Sequence, residues 1–373
     1  MKLAFCLFKY FPYGGLQRNF LDIALQRVAA GDEVFVYTLS WQGDIPQGLM
    51  VRIIKIRAFT NHIKYKKYSE RVSKYIRQDN VDCVVGFNKM PGLDIYFASD
   101  PSCKARRHGC IQRMNPRYRY FIEFEQAVFG TDSHTHILVL ADRQQAEYQH
   151  SWHTPDERFT LMPPGIHRAA CAISDAAQQR QQIRDEFGID DEQILLLMIG
   201  SGFKTKGLDR ALTAIHALSK PLREKVQMRV IGQDKAAPFI RMIKRLSLQA
   251  QVKILPGRND IHAVMQAGDL LMHPAYREVA GMIILEAIVA GLPVIVTDVC
   301  GYAHHVNKAR TGIVLESPFD QSQFNNQLAL MLETDRLQWH QNGIHYGRTQ
   351  DLYSMAEAAS AAICQFCCSK ANR

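Results

Sequence analysis

Residues 194–219 read ILLLMIGSGFKTKGLDRALTAIHALS. The run 194–199 is apolar without polar alternation, the pattern of a strand buried on both faces of a parallel sheet. A loop rich in glycine and lysine follows, and from about 207 to 219 apolar residues recur at helical spacing. Strand, loop and helix form one repeating unit of an α/β sheet. Outward from it the unit recurs, with strands expected at MRVIG 228–232, VKILPG 252–257, DLLMHP 269–274 and PVIVTD 293–298, and a helix near 281–290. The first half has the same grammar: strands at 3–8, 34–39, 51–56, 83–87, 137–141 and 159–165, with helical segments after Gly15 and over 66–79. Two such sheets are expected, because 373 residues exceed what one core usually supports. The polar stretch 166–192 joins the halves, with a helix at 176–187, and a last helix is expected at 353–367.

An apolar fraction of 47% and a charged fraction of 22% are those of a globular chain. Nine cysteines, an odd number in no regular framework, point to a reducing compartment. Cys364 and Cys367 spell C-x-x-C without the preceding strand of a redox motif; ordinary thiols are the first reading, metal or redox use the second. The start MKLAFCLFKYFPYGG has one charge before its apolar run and no small-residue cleavage site, so it reads as a strand rather than a signal. With no long apolar stretch, a cytoplasmic protein is expected.

The net charge of +9 is uneven: residues 52–119 hold 16 basic against 5 acidic residues. One cluster is Arg52, Lys55, Arg57, Lys64, Lys66, Lys67, Arg71, Lys74 and Arg77. The other, Lys104, Arg106, Arg107, Arg113, Arg117 and Arg119, is interleaved with Tyr118, Tyr120, Phe121 and Phe124, and only Glu123 and Glu125 oppose it at its far end. An anionic membrane surface, a phosphorylated acceptor and a solvated face all suit this pattern. Nucleic acid is disfavoured, since no zinc-finger spacing or RNP-type motif accompanies it.

Ligands of such sheets sit beyond the C-terminal strand ends. After the first strand, Pro12 to Gly15 lacks G-x-G-x-x-G; its paired glycines are either a tight turn or bare backbone against an anion or sugar. After the strand at 194–200, Lys204 and Lys206 flank a helix start without a Walker A pattern: a diphosphate clamp, or solvated lysines. After the strand at 269–272, Glu278 sits in a polar loop, Gly281 opens a helix, and Glu286 interrupts that helix's apolar run. A buried carboxylate needs a partner, and carboxylates accept pairs of hydroxyl donors well. Sugar binding, a glycosidase pair and a structural ion pair remain open for the two glutamates. Backbone N–H groups near Ala280 and Gly281 suit a phosphate. His134, His136, His153, His273, His304 and His305 have no metal-ligand spacing.

Glu278 and Glu286, in the form E-x7-E, together with FCLFKYFPYGGLQRNF, VVGFNKMPGLDIYFASD, PPGI, LLLMIGSGFKTKGLDRAL, GRNDIHAVMQAGDLLMHP and GLPVIVTDVCGYAHHV, resemble the family 4 retaining glycosyltransferases. The likeness is greater still to their lipopolysaccharide core glucosyltransferase branch and runs over nearly the whole chain. It implies a GT-B fold: two Rossmann-like parallel-sheet domains facing a central cleft. An acceptor domain at 1–165, a nucleotide-sugar domain at 166–350 and a helix at 351–373 returning to the first domain are expected. The implied reaction moves α-glucose from UDP-glucose to the outer heptose of a lipid-linked, phosphorylated inner core, in an α-1,3 linkage, on the cytoplasmic face of the inner membrane. Another donor or acceptor on the same fold is the first alternative; a phosphorylase, an epimerase or a non-catalytic sugar-binding module is more remote. By resemblance, Glu278 holds hexose hydroxyls, Glu286 the ribose and Lys206 the diphosphate, while Arg258 packs against uracil. Gly14 and Gly15 line the acceptor side of the reacting centre near Asp100, which is expected to be catalytic with Lys206 and Glu278; Gly15 is also counted with Lys204, Lys206, Arg258, Glu278, Ala280, Gly281 and Glu286 as donor-binding. Relatives often carry Arg immediately before the Lys-Gly pair. Here Thr205 stands there, so Lys204 or a remote arginine completes the clamp. No D-x-D occurs in either strand-end loop, and no divalent metal is expected.

Overall fold

In a computed structural model that describes residues 1–12, 14–105, 115–168 and 176–371, the chain divides into two compact units. One comprises Met1–Gly165 with the segment from Ser354 onward; the other is Ile166–Tyr353. Each is built on one all-parallel sheet.

The first sheet contains β1 (Lys2–Cys6), β2 (Glu33–Thr38), β3 (Leu49–Ile53), β4 (Cys83–Gly86), β5 (Ile95–Ala98), β6 (His136–Val139) and β7 (Phe159–Leu161), in the order β3-β2-β1-β4-β5-β6-β7. The second contains β8 (Ile194–Ile199), β9 (Val226–Ile231), β10 (Val252–Leu255), β11 (Leu270–His273), β12 (Val294–Thr297) and β13 (Gly312–Leu315), in the order β10-β9-β8-β11-β12-β13. Every pairing is parallel, for example Leu196 with Met228 and Leu270 with Leu196. In both sheets the order reverses beside the first strand, the Rossmann plan. Two such domains in one chain make the GT-B fold class.

The apolar strands are covered on both faces. In the second unit Leu196, Met198, Met228, Leu270 and Ile295 pack with Leu208, Leu212 and Ile215 of the helix Leu208–Ala217. In the first, Ala4, Cys6, Tyr96 and Ile137 pack with Tyr120, Phe124 and Val128 of the helix Pro116–Phe129. The final helix, Met355–Ala371, belongs to the first unit. There Arg27 donates to the Ser360 carbonyl at 3.3 Å and binds Asp32 with its other nitrogens. Several strands stop short of their sequence expectation: β3 ends at Ile53 rather than 56, and β7 at Leu161 before Pro163 and Pro164. Proline supplies no donor for a ladder, so the pairing ends there.

Candidate active site

The reversal of strand order in the second sheet lies between β8 and β11. The loops leaving their carboxyl ends are the two that carry Lys204, Lys206 and Glu278. They are stitched together by backbone: Tyr276 N–H donates to the Thr205 carbonyl at 2.8 Å. Gly207 permits this approach. Its φ is +83°, and a Cβ there would lie 2.0 Å from the Pro274 carbonyl oxygen. A larger residue would force the loops apart.

On this frame the Lys206 ammonium contacts Glu278 Oε2, with both side chains largely buried at 20% and 17% exposure. Burial pushes Lys206 below its ordinary pKa. His273, fully buried at the end of β11, places Nε2 3.4 Å from the same Glu278 oxygen. Burial, and then the charge of Lys206, hold His273 well below the usual histidine range, so it is neutral at physiological pH.

Lys204 is engaged elsewhere. Its ammonium donates to Asp209 Oδ2 at 2.6 Å and lies 3.0 Å from the Tyr276 hydroxyl, which itself donates to Asp209 at 2.7 Å. Arg210 sits 3.7 Å from the ring centroids of both Tyr276 and Phe319 and donates to the carbonyls of Pro274 and Ala275 at 3.1 and 2.9 Å. Asp209, Arg210 and Tyr276 thus clamp the Glu278 loop onto the helix after β8. Sequence reasoning missed them, because Arg210 and Tyr276 meet only through the fold.

Gly281, with φ +88°, starts the helix Met282–Val289, and Ala280 beside it is buried. Glu286 lies on that helix at 4% exposure. Arg258, after β10, is held by two carboxylates: Glu186, and Asp260 at 2.8 and 2.6 Å. Those hydrogen bonds fix the guanidinium plane.

In the first unit, the loops after β1 and β5 leave the same sheet edge. Gly14 caps the helix Gly15–Ala29; above Gly15 nothing lies within 4 Å of where a Cβ would be. Asp100 is exposed, and its carbonyl accepts from the Tyr148 hydroxyl at 2.6 Å.

Of the second basic cluster, Arg106, Arg107 and Arg113 lie outside the described residues. Lys104, Arg117 and Arg119 are exposed; the Lys104 ammonium sits 4.0 Å over the Trp152 ring. Two of the four interleaved aromatics need correcting: Tyr120 and Phe124 belong to the core, at 7% and 4% exposure. They face inward on the helix Pro116–Phe129, leaving Tyr118 and Phe121 half-buried. Glu125 is likewise no surface acid. It is fully buried and accepts from Lys89, Ser102, the Cys103 backbone and Trp152. Among the described residues, no group of three or more His, Cys, Asp or Glu is arranged to hold a metal ion, and no helix is long and apolar enough to cross a membrane.

The sequence model of the family "Glycosyl transferases group 1" matches residues 179–347. The chain is 43% identical over 368 residues to the lipopolysaccharide glucosyltransferase WaaG of Escherichia coli (strain K12), covering 97% of this chain and 98% of that one. The crystal structure of WaaG, a glycosyltransferase involved in lipopolysaccharide biosynthesis, aligns at a TM-score of 0.92 and 42% identity, over 97% of this chain and 99% of that one. A sucrose-phosphate synthase from Thermosynechococcus elongatus aligns at a TM-score of 0.78 and 15% identity, over 98% and 99% of the two chains, a likeness of fold alone.

Proposed function

The chain belongs to the lipopolysaccharide glucosyltransferase family of group 1 glycosyl transferases, and from that membership we propose that it transfers α-glucose, with retention, from UDP-glucose to the outer heptose of the lipopolysaccharide inner core, forming an α-1,3 linkage. The geometry that best supports this is the meeting of Lys206 with Glu278 where the order of the second sheet reverses. A cation and a hydroxyl acceptor side by side match a sugar diphosphate, whose two ends need those two things.

In this scheme the first unit binds acceptor and the second binds donor. Lys206 meets the diphosphate, with the backbone at Ala280 and Gly281 contributing N–H groups at a helix start. Glu278 accepts from hexose hydroxyls, Glu286 from the ribose, and the fixed plane of Arg258 faces uracil. Gly14 and Gly15 border the acceptor beside Asp100, which takes part in the catalytic centre with Lys206 and Glu278. The bond from C1 to the β-phosphate oxygen breaks as the acceptor oxygen bonds to C1 on the same face. The leaving phosphate oxygen takes the acceptor's proton, so retention needs no protein nucleophile. Lysine and helix-start dipoles carry the developing charge, a role that needs no divalent metal.

The test is a donor panel of UDP-glucose, UDP-galactose, UDP-N-acetylglucosamine and ADP-heptose with purified protein and heptose-terminated core, in excess chelator. UDP-glucose should give the fastest turnover and an α-linked product by NMR. Preference for another donor overturns the donor assignment. Turnover lost in chelator and restored by magnesium overturns the lysine-based account.

Glu286→Ala separates the two glutamates. A ribose ligand serves UDP and UDP-glucose alike, so calorimetry should show both weakened by a similar factor. Weakening of UDP-glucose alone would assign Glu286 to the sugar instead.

For the membrane, the arginines of residues 103–125, with Arg117 and Arg119 exposed, supply charge, while Tyr118 and Phe121 supply the shallow apolar contact. Exchanging Arg113, Arg117 and Arg119 for glutamine removes up to about 3 kcal/mol of attraction at low salt. Co-sedimentation with anionic vesicles should fall roughly a hundredfold, with turnover on a lipid-free acceptor little changed. Binding indifferent to lipid charge and salt would leave this segment as a solvated face or an acceptor-phosphate site.

A further inference from the structure

Lys206 and Glu278 are not two flexible side chains meeting by chance. The loops that carry them are joined by the Tyr276 to Thr205 hydrogen bond, by Gly207 against Pro274, and by Arg210 donating to Pro274 and Ala275. The ion pair is therefore preorganised, and it is largely shielded from water, so solvent and salt screen it less than a surface pair. An anion that needs the Lys206 ammonium meets a carboxylate already seated on it.

We propose that Glu278 competes with the nucleotide's diphosphate for Lys206, and so weakens the binding of spent UDP relative to the intact donor. UDP has to draw the ammonium away from Glu278, and its apparent affinity is lowered by that exchange. UDP-glucose faces the same exchange but brings hexose hydroxyls, which the released carboxylate accepts. His273 makes the exchange practicable. Its Nε2, 3.4 Å from Glu278 Oε2, is a donor that stays when Lys206 moves. Its Nδ1 is buried without a hydrogen-bond partner among the described residues. The neutral ring with its proton on Nε2 leaves only a lone pair stranded at Nδ1, whereas the other tautomer would strand an N–H. The result favours release of product over release of donor from a single site.

This inference rests on the proposed roles of Lys206 and Glu278, and a double-mutant cycle tests it separately. UDP and UDP-glucose binding is measured by calorimetry on the parent, Glu278→Gln, Lys206→Met and the double variant, each checked for an unchanged fold by near-UV circular dichroism. Glu278→Gln keeps the shape and removes the charge. It should bind UDP about three- to thirtyfold more tightly than the parent, while UDP-glucose gains nothing. In the Lys206→Met background the same exchange should change UDP affinity less than about twofold. A gain that persists without Lys206 reduces the effect to plain repulsion between carboxylate and diphosphate and overturns the competition. So does a Glu278→Gln variant that binds UDP no better than the parent. A parent that neither binds UDP nor transfers glucose overturns the functional assignment itself.

Discussion

Lys206→Met is expected to lower kcat by about a hundredfold or more at saturating UDP-glucose, with the fold intact. When the C1–oxygen bond breaks, negative charge grows on the leaving diphosphate. A cation aimed at that charge in a water-poor site contributes about 2.7–4 kcal/mol to the transition state. Lys206 has the required burial, and its depressed pKa records the cost of holding it charged away from water. Methionine keeps most of the stem and removes only the ammonium. Lys204→Met should cost less than about tenfold, because its ammonium is 67% exposed and bonded to Asp209. Steady-state kinetics of both variants, with thermal unfolding as the folding check, decide between them. Near-normal kcat for Lys206→Met together with a collapse for Lys204→Met would move the clamp to Lys204.

Much of the architecture is legible in the sequence, for a physical reason. Strands covered on both faces must be apolar throughout, and β8 announces itself as ILLLMI. Not every short strand does: β4, β6, β10, β11 and β12, of four residues each, match expected strands, but β5, IYFA, set between Asp94 and Ser99, and β13, GIVL, set between Thr311 and Glu316, were missed. The helix Pro116–Phe129 was hidden by its charges, which made a buried segment read as a surface. Its sequence alternates Arg117, Arg119, Glu123 and Glu125 with aromatics, and only the fold separates exposed Arg117 from buried Glu125.

The site divides in the same way. Lys206 and Glu278 each stand at a strand end, so topology brings them to one edge, and their types suit the ligand. The supports around them were not legible. Arg210 is sandwiched between Tyr276 and Phe319, residues remote from it in the chain, and neither spacing nor composition signals that stack. In the sequence His273 is one of six histidines without metal-ligand spacing. Its meaning comes from depth: a buried ring beside Glu278 has to be neutral and has one nitrogen to offer.

Glu125→Ala is expected to destabilise the first unit by about 3–5 kcal/mol, the largest stability effect of any single exchange considered. The carboxylate has no solvent exposure and collects five donors: Lys89 Nζ at 2.7 Å, Ser102 Oγ at 2.5 Å, Cys103 N at 2.7 Å, Lys104 N at 3.2 Å and Trp152 Nε1 at 2.8 Å. It ties together the loop after β4, the segment at 102–104 and the end of the helix Asp142–Trp152. Removing it deprives the Lys89 ammonium, only 9% exposed, of its paired carboxylate and leaves it only the Pro101 carbonyl at 2.9 Å among its described hydrogen bonds, and it takes the acceptor from several other buried donors. With about 2–4 °C lost per kcal/mol in a domain of this size, the first unit's unfolding transition should drop by roughly 10 °C in calorimetry. The cost comes from the abandoned lysine, so Glu125→Leu combined with Lys89→Met should recover a substantial part of it. Acid should act in the same direction. Burial alone would raise the Glu125 pKa, but Lys89 and the hydrogen bonds outweigh it and hold the folded value below the ordinary one. Below the unfolded pKa the unfolded chain binds the proton more readily, so this contribution is complete at neutral pH and declines as pH falls through the folded pKa. A Glu125→Ala transition within about 1 °C of the parent would mean that Lys89 finds another partner, and that the carboxylate is not what holds these segments together.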